Sequence, residues 1–267
     1  MGTKLNNAPV FYALAHIQFT QVSQLLQFFP AVQQGLVAAG FAEVIMGEQA
    51  LISFKQTPDA PPEVSNTRIP RFSFLAAGRT EGFILLHDAL VYHTTRYDTW
   101  ETFADRLSLG LALVQSTIQP GQLRRVGLRY LNAVAPAEGE TLDTYLVKEV
   151  LGMQSQLDGQ LQHAMSETIM QTSLGNLVCR IFSGDVVDSQ PFLPAELMPL
   201  ELELDEKFRA MNGRIAVVDI DHYSLFEERE FDLAFSSKVL NDLKSSIETT
   251  FRRASTPEGM AIWENKT

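Results

Sequence analysis

The chain of 267 residues has little cysteine and no long apolar run. Its single cysteine, Cys179, excludes an intrachain disulfide and a cysteine-based zinc site. The apolar runs are far shorter than the roughly 20 residues that cross a bilayer. The first residues also lack the basic stretch and apolar run of a secretory signal. These absences predict a soluble, cytoplasmic protein without a membrane partner.

The short sequence motifs of common enzymes are missing too. The chain has no G-x-S-x-G, no phosphate-binding Walker loop, no G-x-G-x-x-G and no H-x-x-x-H pair on a helix. We therefore predict no cofactor and no catalytic residue, and we favour a binding protein over an enzyme. An active site built from distant residues would leave no such motif, so an enzyme stays open as an alternative.

Acidic residues outnumber basic ones by 32 to 21, which gives a formal net charge of −11. The excess lies after residue 120, where 23 acidic residues face 14 basic ones, whereas residues 1–120 hold 9 and 7. A protein that binds nucleic acid needs a basic face against the phosphates. The net charge therefore argues against nucleic acid as a partner.

The hydrophobic pattern predicts two halves with the same order of elements. Each half opens with a strand, at residues 11–19 and 123–134, and continues with a helix and several antiparallel strands. Each half then ends in a long amphipathic helix, at residues 100–118 and 236–253. The aromatic stripe of the first long helix is expected to belong to the core.

Turn and cap signals predict the smaller elements. Pro30 is expected to open a helix, because proline fits best in a first helical turn. Asp98, with Glu101 three residues later, has the pattern of a capping box. The remaining segments are predicted as a loop at 56–70, a helix at 141–153 and a half-exposed edge strand at 200–204.

The strand at 123–134 contains V-G-L-R-Y-x-N, which begins at Val126 after the basic residue Arg125. This sequence resembles the signature of an uncharacterised, sporadically distributed family of bacterial proteins of about this length. The family shares two further segments, matched here by Tyr97, Trp100 and Phe103 and by Val217, Val218, Asp219 and Asp221. The resemblance covers nearly the whole chain, and it implies a shared fold but no particular activity.

The tandem order strand, helix, strands, helix also resembles the TATA-binding-protein-like fold. That resemblance implies an α+β protein whose halves, residues 8–120 and 121–255, join into one curved antiparallel sheet. The long helices would pack on one face of the sheet, and residues 256–267 would form a tail. The two opening strands would lie near the axis that relates the halves.

The polar residues of the central strand are the best candidates for a ligand-binding site: Arg125, Arg129, Tyr130 and Asn132. A guanidinium is a planar donor that binds an anion through two hydrogen bonds. The same side chains would alternatively form an internal network with buried carboxylates such as Glu167 or Asp219. We favour the internal network, because buried polar groups need partners and such networks are common.

A second candidate is the run D-x-D-H formed by Asp219, Asp221 and His222. Carboxylates two residues apart share one face of a strand, where they can hold a hard cation or transfer protons. Because the spacing indicates no third ligand, these residues are weak metal candidates, and we expect no metal.

Three other chemically capable residues are interpreted as structural. His87, beside Asp88, is expected in a tight bend, and His93 on the surface of the next strand. Cys179 lies in an apolar run and is expected to be a small core residue.

Three functions remain after these considerations. The favoured one is a non-enzymatic binding or interaction module that holds a protein or a small ligand on the open face of the sheet, with an oligomer possible. The alternative is a metal-dependent hydrolase that uses Asp219 and Asp221. A nucleic-acid-binding protein ranks third, because of the charge.

Overall fold

A nine-stranded antiparallel sheet dominates the computed structural model, which describes residues 5–55, 63–186, 199 and 201–265. The strands are β1 (Val10–Phe19), β2 (Glu43–Lys55), β3 (Glu63–Leu75), β4 (Glu81–Leu85), β5 (Ala89–Thr94), β6 (Gln122–Val134), β7 (His163–Gln171), β8 (Asn176–Val186) and β9 (Gly213–Glu230). The helices are α1 (Leu25–Ala38), α2 (Trp100–Thr117), α3 (Leu142–Tyr145), α4 (Lys148–Leu151), α5 (Glu206–Arg209), α6 (Leu233–Ala254) and α7 (Pro257–Glu264), with a short 3-10 helix at Gly152–Ser155.

The spatial order of the strands is β2-β3-β4-β5-β1-β6-β9-β8-β7. All neighbouring strands pair antiparallel, and β1 pairs directly with β6 in the middle of the sheet. The prediction of an α+β protein with one large antiparallel sheet is therefore confirmed. The central strand β6 has a partner along both edges, so its polar side chains project from the middle of the sheet and not from an outer strand.

The main core lies between one face of the sheet and helices α1, α2, α3, α6 and α7. Alternation along β6 turns Val126 and Leu128 towards this core. The long helices bury residues spaced by three or four, namely Phe103, Leu107, Leu111 and Val114 on α2 and Leu240, Leu243, Ile247 and Phe251 on α6. Both long helices therefore bury the stripes that their amphipathic patterns predict, and both pack on the same face of the sheet.

The opposite face, called here the open face, is partly covered near β1 and β3 by residues 201–211. Leu202 is buried there in a small cluster with Tyr12 and Leu75. Arg71 Nη1 lies 2.6 Å from Glu201 Oε1, which anchors this segment to the sheet. The predicted edge strand at 200–204 is wrong for residues 201–204, which form no strand; Leu200 lies outside the described residues. The alternation of leucine and glutamate arises because Leu202 is buried and Leu204 half-buried against the sheet.

Two predictions of helix starts are wrong by small shifts. Helix α1 begins at Leu25 and includes Pro30, which lies on its exposed side. Packing of the Phe29 ring on the Phe72 ring, with centroids 4.4 Å apart, holds the preceding turn against the sheet, which outweighs the hydrogen bond lost at the proline. Helix α2 is capped by Thr99, whose hydroxyl accepts from the Thr102 amide at 3.2 Å, and not by Asp98.

Two longer predicted segments are also corrected. The loop predicted at 56–70 is strand β3 from Glu63 onward, and residues 56–62 lie outside the described residues. Pro70 is tolerated in β3 because β4 pairs only with the part of β3 that begins at Phe72. The helix predicted at 141–153 is divided, because Leu146 bridges to Ser255 and takes the extended conformation.

Residues 257–264 of the expected tail form helix α7. Trp263 is buried, with its ring 5.9 Å from that of Tyr145 and 5.3 Å from that of Phe251. No helix in the described part of the chain combines the length and apolar character needed to cross a membrane.

Candidate functional site

The four candidate residues of β6 divide between the two faces of the sheet. Arg125 and Arg129 lie on the open face with Asp219 and Asp221. Tyr130 and Asn132 lie on the face covered by the helices. The division follows from the twofold alternation of a strand, so these residues form two separate clusters.

Arg129 holds Asp219 through two parallel hydrogen bonds. Its Nε donates to Asp219 Oδ1 at 2.6 Å, and its Nη2 donates to Oδ2 at 2.7 Å. Arg180 Nη1 reaches the same carboxylate at 3.5 Å and also pairs with Glu167. The Asp219 side chain is only 1% exposed, so these guanidinium groups replace the water that the charge would otherwise need. Arg129 thus belongs to an internal network, which is the interpretation that the sequence analysis favours.

Arg125 lies flat on the open face beside this pair. Its Nη1 donates to His16 Nδ1 at 2.5 Å, its Nη2 reaches Asp221 Oδ2 at 3.5 Å, and its guanidinium lies 4.4 Å from the ring centre of Tyr223. Gly127 makes room for it, since a Cβ there would lie 3.0 Å from the guanidinium carbon. The glycine of the V-G-L-R-Y-x-N sequence therefore has a packing role.

The ionisation of this cluster follows its burial. Burial, together with the charge of Arg125, lowers the pKa of His16 to about 4. Since arginine only donates, His16 Nδ1 must accept, which requires a neutral ring near pH 7. Burial also raises the pKa of Asp221, against the opposing effect of Arg125 and Arg129. Of the two carboxylates, Asp219 and Asp221, Asp221 has the weaker hydrogen bonds.

The residues of the D-x-D-H run do not converge. His222 lies on the helix-covered face, where its Nε2 is 3.0 Å from Thr172 Oγ1 and burial lowers its pKa. Both oxygens of Asp219 already accept from arginine. Within the described residues, no group of three or more His, Cys, Asp or Glu side chains is placed to hold a metal.

The second cluster borders a cleft of about 200 Å³ on the helix-covered side, called here the aromatic cleft. It lies between the residues before β1, the start of α2, the end of β6 and one side of α6. Its lining includes Tyr97, Trp100, Tyr130, Asn132, Lys244, Glu248 and Phe251. Two segments of the family-like pattern, distant in sequence, thus meet at one cleft.

Hydrogen bonds fix the floor of the aromatic cleft. The Tyr130 hydroxyl donates to the Tyr97 hydroxyl at 3.3 Å, with the rings edge to face at 5.1 Å. Asn132 Nδ2 donates to the Val218 carbonyl at 3.2 Å. Burial raises the pKa of Tyr97 to about 12 and that of Tyr130 well above its ordinary value. Both phenols are therefore neutral donors and acceptors at pH 7.

The aromatic stripe of α2 is only partly core. Phe103 is buried as expected, whereas Trp100 is half-buried, lines the cleft and donates from Nε1 to Asn241 at 2.7 Å. Lys244 and Glu248 were missed by sequence reasoning. Their spacing of four residues suggests only a solvent-exposed ion pair. The expected packing of both long helices on one face does not specify which residues of α6 lie beside α2.

The remaining candidates have structural roles. Asp88 lies 3.4 Å from His87 Nδ1 and accepts from Gln18 Nε2 at 2.8 Å. The expectation that His93 lies on the surface is wrong, because it is fully buried and its Nδ1 is 3.0 Å from the Tyr12 hydroxyl. Burial raises the pKa of Cys179 to about 11, so its sulfur stays a thiol at pH 7.

Comparison of the chain with known proteins adds no identification: no protein-family model matches it, and no curated protein matches it either.

Proposed function

We propose that the protein is a soluble, cytoplasmic, non-enzymatic interaction module that binds a protein partner at strand β7 and the adjoining open face. The observation that carries the proposal is the exposed edge of β7. This strand is the last of the described sheet beyond β8, and seven of its nine residues are exposed. A partner that adds an extended strand there would satisfy its backbone groups.

The hydrogen-bonding pattern identifies the groups that the partner would meet. Thr172 and Gly175 exchange two backbone hydrogen bonds at the turn between β7 and β8. Because hydrogen-bonded and non-hydrogen-bonded pairs alternate, the amides and carbonyls of Met165, Glu167 and Ile169 point away from β8. The side chains of the same residues lie on the open face, so one partner strand would contact both.

The outer edge of β7 lacks most of the features that usually prevent pairing, and its one acidic residue, Glu167, is paired with Arg180. Its sequence contains no proline, lysine or glycine, and its register with β8 has no bulge. Met165 and Ile169 are 61% and 60% exposed on the open face, where Leu225 is exposed as well. Exposed apolar side chains on an edge strand and on the face beside it favour burial against a partner.

The charges of the open face favour a protein over the alternatives. The network balances three guanidinium groups with three carboxylates, namely Arg125, Arg129 and Arg180 with Asp219, Asp221 and Glu167. A balanced face does not attract a polyanion. Both carboxylate oxygens of Asp219 are paired with arginine, so a metal ion would have to displace a guanidinium from each of them. This pairing does not support a metal-dependent hydrolase.

We also infer a TATA-binding-protein-like arrangement of two equivalent halves and membership of the bacterial family that the sequence resembles. The wiring supports the first inference. Outward from the middle, the strands run β1, β5, β4, β3, β2 on one side and β6, β9, β8, β7 on the other. On each side the opening strand is innermost, the last strand of that half is next, and the strand that follows the first helical segment is outermost.

The proposal is tested with Met165→Lys, because a charge at the edge blocks strand addition. The matched control is Met46→Lys, since Met46 is a 65% exposed methionine on the other outermost strand, β2. Sedimentation of wild type and both variants first shows whether the partner is a second copy of the chain. If wild type is monomeric, the three proteins serve as matched baits in cell extract.

We expect self-association, or a captured partner, with wild type and Met46→Lys and its loss with Met165→Lys. Amide exchange of the complex should slow at Met165, Glu167 and Ile169. A monomer that captures nothing, or a partner retained equally by all three proteins, would contradict the proposal.

A further inference from the structure

We propose that the 201–211 segment and the sheet beneath it enclose a binding site for one water molecule. The site lies on the open face over β3, β4 and β5, on the side of the sheet that does not contain β7, so the inference is independent of the proposed function. Four buried polar atoms carry it, and their hydrogen-bonding chemistry identifies the ligand.

The four atoms are Arg71 Nη2, Ser73 Oγ, His93 Nε2 and Glu201 Oε2. All of them are buried, and within the described part of the chain none of them has a hydrogen-bond partner. Ser73 and His93 are 0% exposed as whole residues. Buried polar groups in native proteins are almost always satisfied, either by the protein or by ordered water. The four atoms therefore need a ligand that can bind them from within the protein.

The backbone brings the four side chains to one place. Arg71 and Ser73 are two residues apart on β3, so they share the open face. His93 lies across β4 from them and pairs with Gly82 of that strand. A Cβ at Gly82 would lie 3.3 Å from His93 Nε2, so the imidazole extends over this glycine towards β3. Glu201 closes the site from the 201–211 segment, with its Oε1 2.6 Å from Arg71 Nη1.

The electrostatic effects of these groups on one another show that they are neighbours. Burial acts to raise the pKa of Glu201, but Arg71, Ser73 and His93 outweigh burial and lower it. Ser73 has this effect although its Oγ has no direct hydrogen bond, so the two groups are close together but not bonded. Burial and the charge of Arg71 lower the pKa of His93 to about 4, so its ring is neutral at pH 7.

The donors and acceptors of the site match those of water. Arg71 Nη2 only donates, and the ionised Glu201 Oε2 only accepts. With the Tyr12 hydroxyl donating to His93 Nδ1, 3.0 Å away, the hydrogen of the neutral ring lies on Nε2. A water molecule accepts from Arg71 and His93 and donates to Glu201 and to the Ser73 hydroxyl, which satisfies all four atoms. An ammonium ion would meet the donors of Arg71 and His93, and a chloride ion would meet the Glu201 carboxylate, so neither ion fits.

A crystal structure of the full chain, at a resolution that shows ordered water, tests the assignment directly. We expect one density peak of the size of water within about 2.5–3.2 Å of at least three of the four atoms. Crystals soaked in bromide and in rubidium distinguish water from an anion or a cation by anomalous scattering. No density between the four atoms, a direct hydrogen bond from Ser73 to Glu201 that closes the site, or a bromide or rubidium peak there would overturn the proposal.

Oxygen-17 relaxation dispersion then counts the long-lived internal waters in solution. Ser73→Val replaces the hydroxyl by methyl groups that fill the site, so the variant should hold one long-lived water fewer than wild type. The matched control is Ser183→Val, since Ser183 is a buried strand serine whose hydroxyl already pairs with Gln154 at 3.1 Å. It should leave the count unchanged. Equal counts in wild type and Ser73→Val would overturn the proposal, and if Ser73→Val does not fold, the wild-type density decides alone.

Discussion

Replacing Arg129 by methionine leaves the Asp219 carboxylate buried without its main partner. In the native structure Asp219 is 1% exposed and receives two hydrogen bonds from Arg129, of 2.6 and 2.7 Å. After the substitution only Arg180 remains near it, at 3.5 Å and shared with Glu167. Methionine fills much of the space of the arginine stem, so the loss is mainly electrostatic.

The expected cost is about 3–5 kcal/mol of unfolding free energy. That is the usual effect of removing one partner of a buried ion pair, because the remaining charge is neither solvated nor paired. The intact pair itself need not contribute this much, since both charges also lose water on folding. Removing both charges with Arg129→Met and Asp219→Asn should therefore cost less than the sum of the single substitutions.

Urea denaturation at pH 7 and pH 5 measures the effect. In Arg129→Met, protonation of the buried carboxyl removes the unpaired charge, so the folded state of the variant binds more protons than the unfolded state. Stability of the variant relative to wild type should therefore rise as the pH falls. The deficit at pH 5 should be smaller than the deficit at pH 7.

The matched control is Arg68→Met, since Arg68 pairs with Glu48 at 3.3 Å on the surface and both side chains are largely exposed. It should change stability by less than about 1 kcal/mol. A similar small loss in Arg129→Met, or a deficit that does not shrink on acidification, would refute the claim that Asp219 depends on Arg129.

Two further predictions concern packing and pH. Gly110→Ala should destabilise the protein by about 1–3 kcal/mol, because the new Cβ would overlap the buried Phe83 ring. This overlap outweighs the helix preference of alanine. The exposed control Ser108→Ala on the same helix should leave the thermal unfolding temperature nearly unchanged. Acidification from pH 7 to 5 should destabilise the wild-type protein. Burial and Arg125 lower the pKa of His16 to about 4, so between pH 6.5 and 4 the unfolded chain binds more protons than the folded protein. His16→Asn should remove about 1–2 kcal/mol of that pH dependence in urea unfolding; an equal dependence in both proteins would contradict it.

Most strands and both long helices could be predicted, because each follows from a local pattern of apolar residues. The errors occur where tertiary contacts outweigh local signals. Pro30 stays inside α1 because Phe29 packs on Phe72. The segment predicted at 141–153 loses its continuity because Leu146 bridges to Ser255. Leu202 is buried and Leu204 half-buried against the open face without forming a strand, so their alternation with glutamate reflects this packing and not a strand.

The sequence by itself determined which side chains of β6 share a face, since alternation is a property of the extended backbone. That alternation alone separates Arg125 and Arg129 from Tyr130 and Asn132. Only the tertiary structure decided their partners. Asp219 is 90 residues from Arg129, and Lys244 is more than 100 residues from Tyr130. Strand order and helix packing bring these distant residues together, and no local pattern encodes either of them.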